Sequence, residues 1–264
     1  MGQKAKLAER ILYASKAAKL AKASRLGIAA SAILSFMIFA ISFYGQQVGN
    51  FTFSVDRMAL QAGITLFETL DSDNVSRLIA PKVDNADGMT ALCGTQYSRY
   101  VPGDDVCVPS DEFATSVDGP NSTETVLIYT FYVVNAGDAD VDLEVSLDIT
   151  NASKGAEEAI RVRVIIDGPG NKDLAATYAK VQTSRGEQPG MPEPFTEPFY
   201  DPTRVLFMEL SGGGSTGYFH PGDRLRVTVM LWYEGEDADH NLNIVGGGVK
   251  LGMEFAVTKI YDEF

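Results

Sequence analysis

The sequence predicts a mostly β protein: an N-terminal transmembrane helix followed by an antiparallel two-sheet sandwich of jelly-roll type. Three observations predict it. An uncharged apolar run occupies Leu26 to Tyr44. Beyond Asn50 the apolar pattern changes to a period of two. Clusters of Gly, Pro, Asn and Asp then punctuate the alternating runs, as tight turns require.

Residues 1–25 form a basic segment with seven cations (Lys4, Lys6, Arg10, Lys16, Lys19, Lys22 and Arg25) against one acid, Glu9. Its alanines and lysines favour helix, with Leu7, Ile11 and Leu12 near one face. Residues 26–44 read LGIAASAILSFMIFAISFY. Nineteen helical residues extend about 28 Å, close to the hydrocarbon thickness of a bilayer. The serines within it can bond back to their own helix. All the cations lie on one side, so the positive-inside rule places the N-terminus in the cytoplasm and residues 45–264 outside. The expected location is the cell membrane, as a single-pass protein with the lipid bilayer as its first partner. A cleaved signal peptide is the alternative, with Ala40-Ile41-Ser42 as the small-residue cleavage site and a secreted product.

The remainder of the chain holds 15 basic and 34 acidic residues. Such an acidic domain repels phosphate, so nucleic acid is excluded as a partner. Its strands are expected at Phe51 to Val55, Ile64 to Leu66, Thr125 to Val134, Val141 to Ile149, Ile160 to Val164, Thr203 to Leu210, Arg224 to Tyr233 and Val249 to Val257. Most alternate apolar and polar residues, which gives each a buried and a wet face. Asn135-Ala136-Gly137-Asp138 reads as a hairpin turn between two long strands. Asp173 to Lys180 is the one outer stretch suited to a short helix. Residues 71–121 read as a long irregular loop, and five prolines interrupt Gly186 to Pro202. Trp232, at a strand end, is expected in the core.

Cys93 and Cys107 are the only cysteines. In an exported domain they are expected to form a disulfide, whose loop of about 15 residues is worth roughly 3 kcal/mol in the chain-entropy account. Two groups of carboxylates offer oxygens to Ca²⁺. Asp138, Asp140 and Asp142 share a strand face by alternation. Glu236, Asp237 and Asp239 crowd a loop with Glu234. For both groups the competing reading is a solvated acidic surface. No other cofactor is indicated. H-E-x-x-H and G-x-S-x-G are absent, and the glycine triplets at 212–214 and 246–248 lack the Lys-Ser/Thr of a phosphate loop. Four N-x-Ser/Thr sequons begin at Asn50, Asn74, Asn121 and Asn151.

Arg226 to Val257 reads RVTVMLWYEGEDADHNLNIVGGGVKLGMEFAV. The stretch resembles the C-terminal part of exported β-sandwich proteins of the TasA and camelysin group in Gram-positive bacteria. The resemblance rests on Trp232, Glu234, Gly235, Asp237, Asn241, Gly246 to Gly248 and Leu251 to Phe255. Asp239-His240 stands where that group often has a cysteine. The resemblance implies a jelly-roll fold, export and a role in the cell envelope, with assembly by strand exchange. The function expected is a non-catalytic, membrane-anchored surface module for envelope assembly or adhesion, self-associating through an edge strand. The alternatives are a secreted matrix-fibre subunit and an extracellular hydrolase with a dispersed site.

Overall fold

The computed structural model describes residues 51–80, 98–101, 106–122, 126–169, 174–182, 188–213, 216–235 and 237–261. The basic segment 1–25, the apolar run 26–44, Cys93 and Glu236 lie outside them. Among the described residues no helix is long and apolar enough to cross a membrane. The strands are β1 (Phe51–Val55), β2 (Ile64–Phe67), β3 (Arg77–Ala80), β4 (Ser98–Val101), β5 (Val106–Pro109), β6 (Gly119–Pro120) and β7 (Leu127–Asn135). They continue as β8 (Asp140–Ser153), β9 (Ile160–Asp167), β10 (Leu174–Ala179), β11 (Glu197–Pro198), β12 (Arg204–Leu210), β13 (Arg224–Tyr233) and β14 (Gly248–Tyr261). Two short helices, α1 (Arg57–Gln61) and α2 (Asp111–Ala114), start at side-chain caps. Asp56 accepts from the Ala59 amide at 2.6 Å, and Ser110 accepts from the Phe113 amide.

The mostly β, two-sheet architecture agrees with the sequence pattern. One sheet runs β12-β8-β14-β1-β3 and the other β11-β10-β9-β13-β7-β2, with β6 on β7. Alternation sends Phe51, Phe53, Leu143, Val145, Leu147, Leu251, Met253 and Phe255 into the core from the first sheet. Tyr129, Phe131, Val162, Val164, Val227 and Val229 meet them from the second. The centre is aromatic: Phe53 lies 4.5 Å from Phe51, 5.1 Å from Tyr129 and 4.3 Å from Phe131 between ring centroids. Each such pair adds about 0.5–1.5 kcal/mol beyond the area it buries.

Four expectations are corrected. The sandwich is not wholly antiparallel: β1 runs parallel to β14, with Phe51 opposite Leu251 and Val55 opposite Phe255, and β11 runs parallel to β10. Alternation marks which side chains face inward but carries no strand direction. The stretch Asp173 to Lys180 is not helical, because Leu174–Ala179 forms β10 against β9. Its alternate residues Leu174, Ala176 and Tyr178 face the core. The 71–121 region is not wholly irregular, since it supplies β3, the β4-β5 hairpin, α2 and β6. Finally, Asn135 to Asp138 is a crossover and not a hairpin, since β7 and β8 belong to different sheets.

The crossover has its own lock. Buried Asn135 donates to the Ala139 carbonyl at 3.0 Å and the Phe219 carbonyl at 2.9 Å, while its oxygen accepts from the Gly137 amide at 3.0 Å. Gly137 packs so closely on the turn after α1 that a Cβ would sit 2.0 Å from the Ala62 carbonyl oxygen. Only glycine tolerates that approach.

Candidate functional site

The carboxylates at the start of β8 do not act as one face. Asp138 lies exposed in the crossover, before the strand begins. Asp140 pairs with His220 Nδ1 at 2.8 Å. Asp142 is buried and accepts four hydrogen bonds. Its Oδ1 takes the Gly212 and Tyr218 amides, each at 3.0 Å. Its Oδ2 takes the Ser211 hydroxyl at 3.1 Å and the Tyr261 hydroxyl at 2.8 Å. Burial alone would raise the Asp142 pKa, but these four donors outweigh it and hold the carboxyl below its ordinary range. One side chain thereby fastens the β12–β13 connection and the end of β14 to β8.

The Asp140 hydrogen bond raises the His220 pKa above its ordinary value, with desolvation opposing. His220 gains stability from this pair below its unfolded pKa and loses it as pH rises through the raised folded value. The His220 ring protons, followed by NMR, are expected to titrate above 6.5 in the native chain. The midpoint should fall toward that value in Asp140→Asn. An unchanged midpoint in the variant would show that the pair does not form.

The second acidic group lies on the loop between β13 and β14. Glu236 is outside the described residues, and Asp239 helps turn the loop, its amide donating to Asp237 Oδ1 at 2.7 Å. Asp237 is buried against Arg161, with Oδ2 2.7 Å from Nη2. Glu193, from the loop after β10, reaches the same Nη2 at 3.2 Å. All three side chains are nearly inaccessible to solvent. Around them Trp232 Nε1 donates to Glu234 at 3.2 Å, and His240 Nδ1 lies 2.8 Å from the Glu234 carbonyl oxygen. Neighbouring Tyr233 is desolvated and faces Glu157, which pushes its pKa up to about 12. Among the described residues no three His, Cys, Asp or Glu side chains gather in a way that could hold a metal ion.

The outer face of the second sheet is expected to be wet, yet much of it is covered. Arg163 makes a two-pronged contact with Asp111 at 2.6 and 2.7 Å. Arg226 binds Asp118 at 2.8 Å and the Thr115 carbonyl at 2.7 Å. These acids hold the α2 segment over Trp232, Met230, Ile128 and Val126, which form a second small core with Ala114. Trp232 is therefore buried as expected, but on the far side of its sheet.

Arg161 and Glu193 carried no signal in the sequence, because alternation places Arg161 on the solvent face. The Arg161 guanidinium holds two loops together at one end of the sandwich. Those loops display apolar side chains: Leu242 is 89% exposed, Phe195 57%, Met191 51% and Val245 42%. Phe195 is set by an unusual turn. The Thr196 amide donates to the Glu193 carbonyl, Pro194 occupies the second position and Phe195 takes φ +59° at the third. That position ordinarily requires glycine, and a bulky residue there stores about 1–2 kcal/mol of strain. The Pro at the second position was the one legible cue.

Replacing Phe195 by Gly relieves that strain and sacrifices little packing. Part of the gain is offset by the greater freedom of glycine in the unfolded chain. A net stabilisation of about 0.5 kcal/mol is expected, read as a small rise in the melting temperature. A clear fall would mean that Phe195 contributes packing after all.

The expected Cys93–Cys107 disulfide involves Cys93, which lies outside the described residues. Cys107 itself is placed only by its backbone, opposite Tyr100 in the β4-β5 hairpin. Comparison with known protein families, with curated proteins and with solved structures yields no match to this chain.

Proposed function

We propose that the chain is a membrane-anchored surface module, presenting a jelly-roll-like β-sandwich outside the cell for envelope assembly or adhesion without catalysis. The observation that carries this reading is the run Leu26 to Tyr44, uncharged and flanked by cations on one side only, joined by six residues to a strand buried in the sheet. A helical run of that length matches the bilayer core, and the charge bias sets its direction. The acidic exterior and the resemblance of Arg226 to Val257 to exported sandwich proteins add support. Among the described residues, the exposed loop end and the edge strands, β3 and β12 in one sheet and β11 and β2 in the other, are surfaces a partner could use. A Cys93–Cys107 disulfide belongs to the same proposal as a secondary element.

Alkaline carbonate extraction of membranes tests the anchor. The chain is expected in the pellet at its intact 28.5 kDa, with its C-terminal domain open to protease added outside intact cells. Recovery of a soluble form lacking about forty N-terminal residues would favour the secreted-fibre alternative, in line with a cleavage site near Ser42.

A further inference from the structure

We propose that the loop end of the sandwich, formed by Met191, Phe195, Leu242 and Val245, docks on the outer leaflet of the bilayer that holds the anchor; this rests on the membrane-anchored reading above. The register places these residues. β1 begins opposite Leu251, and β14 begins three residues earlier, at Gly248 opposite Ser153. β13 ends at Tyr233 opposite Ile160, and Tyr178 near the end of β10 lies opposite Val162. The loops after β8, β10 and β13 therefore leave the sandwich at the end where β1 starts. Met58 and Leu60 lie on α1, past the other end of β1.

Chain length makes lipid the occupant. Only residues 45–50 separate Tyr44 from Phe51. Fully extended, that tether spans at most about 24 Å. Along the strand direction the β13–β14 loop reaches at least three residues beyond Phe51, about 10 Å. A tether of that length keeps the end where β1 starts, and with it the four apolar side chains, within reach of the headgroup layer, which is about 6–8 Å deep. A second copy of the chain would instead pair along the edge strands β3 and β12, which run up the sides of the sandwich.

The site is built and not incidental. Arg161, buried between Asp237 and Glu193, locks together the loops carrying Leu242 and Phe195. Phe195 is held outward by a strained turn. The Lys154 ammonium donates to the Val245 carbonyl at 2.6 Å, which puts a cation beside the apolar tip. Aromatic and aliphatic side chains over a cation are the composition that interfacial contacts use.

The test uses the full chain in nanodiscs of phosphatidylcholine and phosphatidylglycerol, with and without a shallow doxyl-labelled lipid. Leu242→Trp and Phe195→Trp are compared with Leu60→Trp, all with native Trp232 as common background. Circular dichroism checks the fold of each. Docking predicts at least twofold stronger quenching at positions 242 and 195 than at 60. No excess quenching, while the chain stays in the disc with residues 1–44 intact, would overturn docking and leave the anchor standing. Equal quenching at all three positions, or a blue shift that depends on protein concentration without quenching, would also overturn it. Loss of the N-terminal segment or release from the disc would overturn docking and anchor together.

Discussion

Replacing Arg161 by Met is expected to cost about 3–5 kcal/mol of folding free energy, the penalty for leaving buried carboxylates without their cation. The side chain is long and apolar enough to fill the guanidinium's space, so the loss is electrostatic and not a cavity effect. Asp237 and Glu193 would face each other across a dry site without the Arg161 charge between them. The two carboxylates would then take up protons, or the two loops would part to admit water. Either response loosens the end that displays Phe195 and Leu242. Urea unfolding of residues 49–264 is the measurement, followed by the fluorescence of Trp232, the register partner of Arg161. A companion variant carrying Arg161→Met with Glu193→Gln and Asp237→Asn is expected to recover much of the loss, because no charge remains to be desolvated. A loss under 1 kcal/mol in the single variant would mean that the cluster is wetter than its geometry indicates.

How far the sequence foretold this arrangement depends on the scale of the interaction. Strands with one apolar face were legible: Phe51 to Val55 and Arg224 to Tyr233 have the bounds that alternation assigns. Local caps and turns were legible too, since Pro221-Gly222-Asp223 does turn the chain just before β13, the Asp223 amide donating to the His220 carbonyl. Pairing was not. Nothing in Phe51 to Val55 announces a parallel partner 200 residues away, and Asn135 to Asp138 carries the same turn chemistry whether it reverses within a sheet or crosses to the other. The candidate site was least legible. Alternation puts Arg161, Arg163 and Arg226 on the outer face of their sheet, but it cannot see that distant acidic segments fold back over them. Asp142 was singled out for its charge and spacing. The structure spends that charge on four donors drawn from positions 211 to 261.

Those four donors support a second strong expectation. Asp142→Ala should destabilise the domain by about 3–5 kcal/mol, because the Gly212 and Tyr218 amides lose the carboxylate that accepts from them and each orphaned buried donor costs about 1–3 kcal/mol. Asp142→Asn should cost far less. Its carbonyl oxygen can keep both amides, and the Ser211 and Tyr261 hydroxyls can rotate to accept from the new NH₂ group. The two variants separate hydrogen bonding from charge. The pH dependence then follows from the lowered carboxyl pKa. A group whose folded pKa lies below its unfolded value lends its full stability above the unfolded pKa, near 3.8 here, and loses it as pH falls through the folded one. Native protein should therefore weaken below about pH 4, and Asp142→Asn should flatten that part of the acid limb. Urea midpoints measured from pH 2.5 to 6 on both proteins would show the difference. Parallel acid limbs would mean that the carboxylate is not ionised where it sits. Since the same side chain ties the end of β14 to the β12–β13 connection, Asp142→Ala should also raise amide exchange at Tyr261 and Phe219 before the core opens, whereas Asp142→Asn should leave both protected.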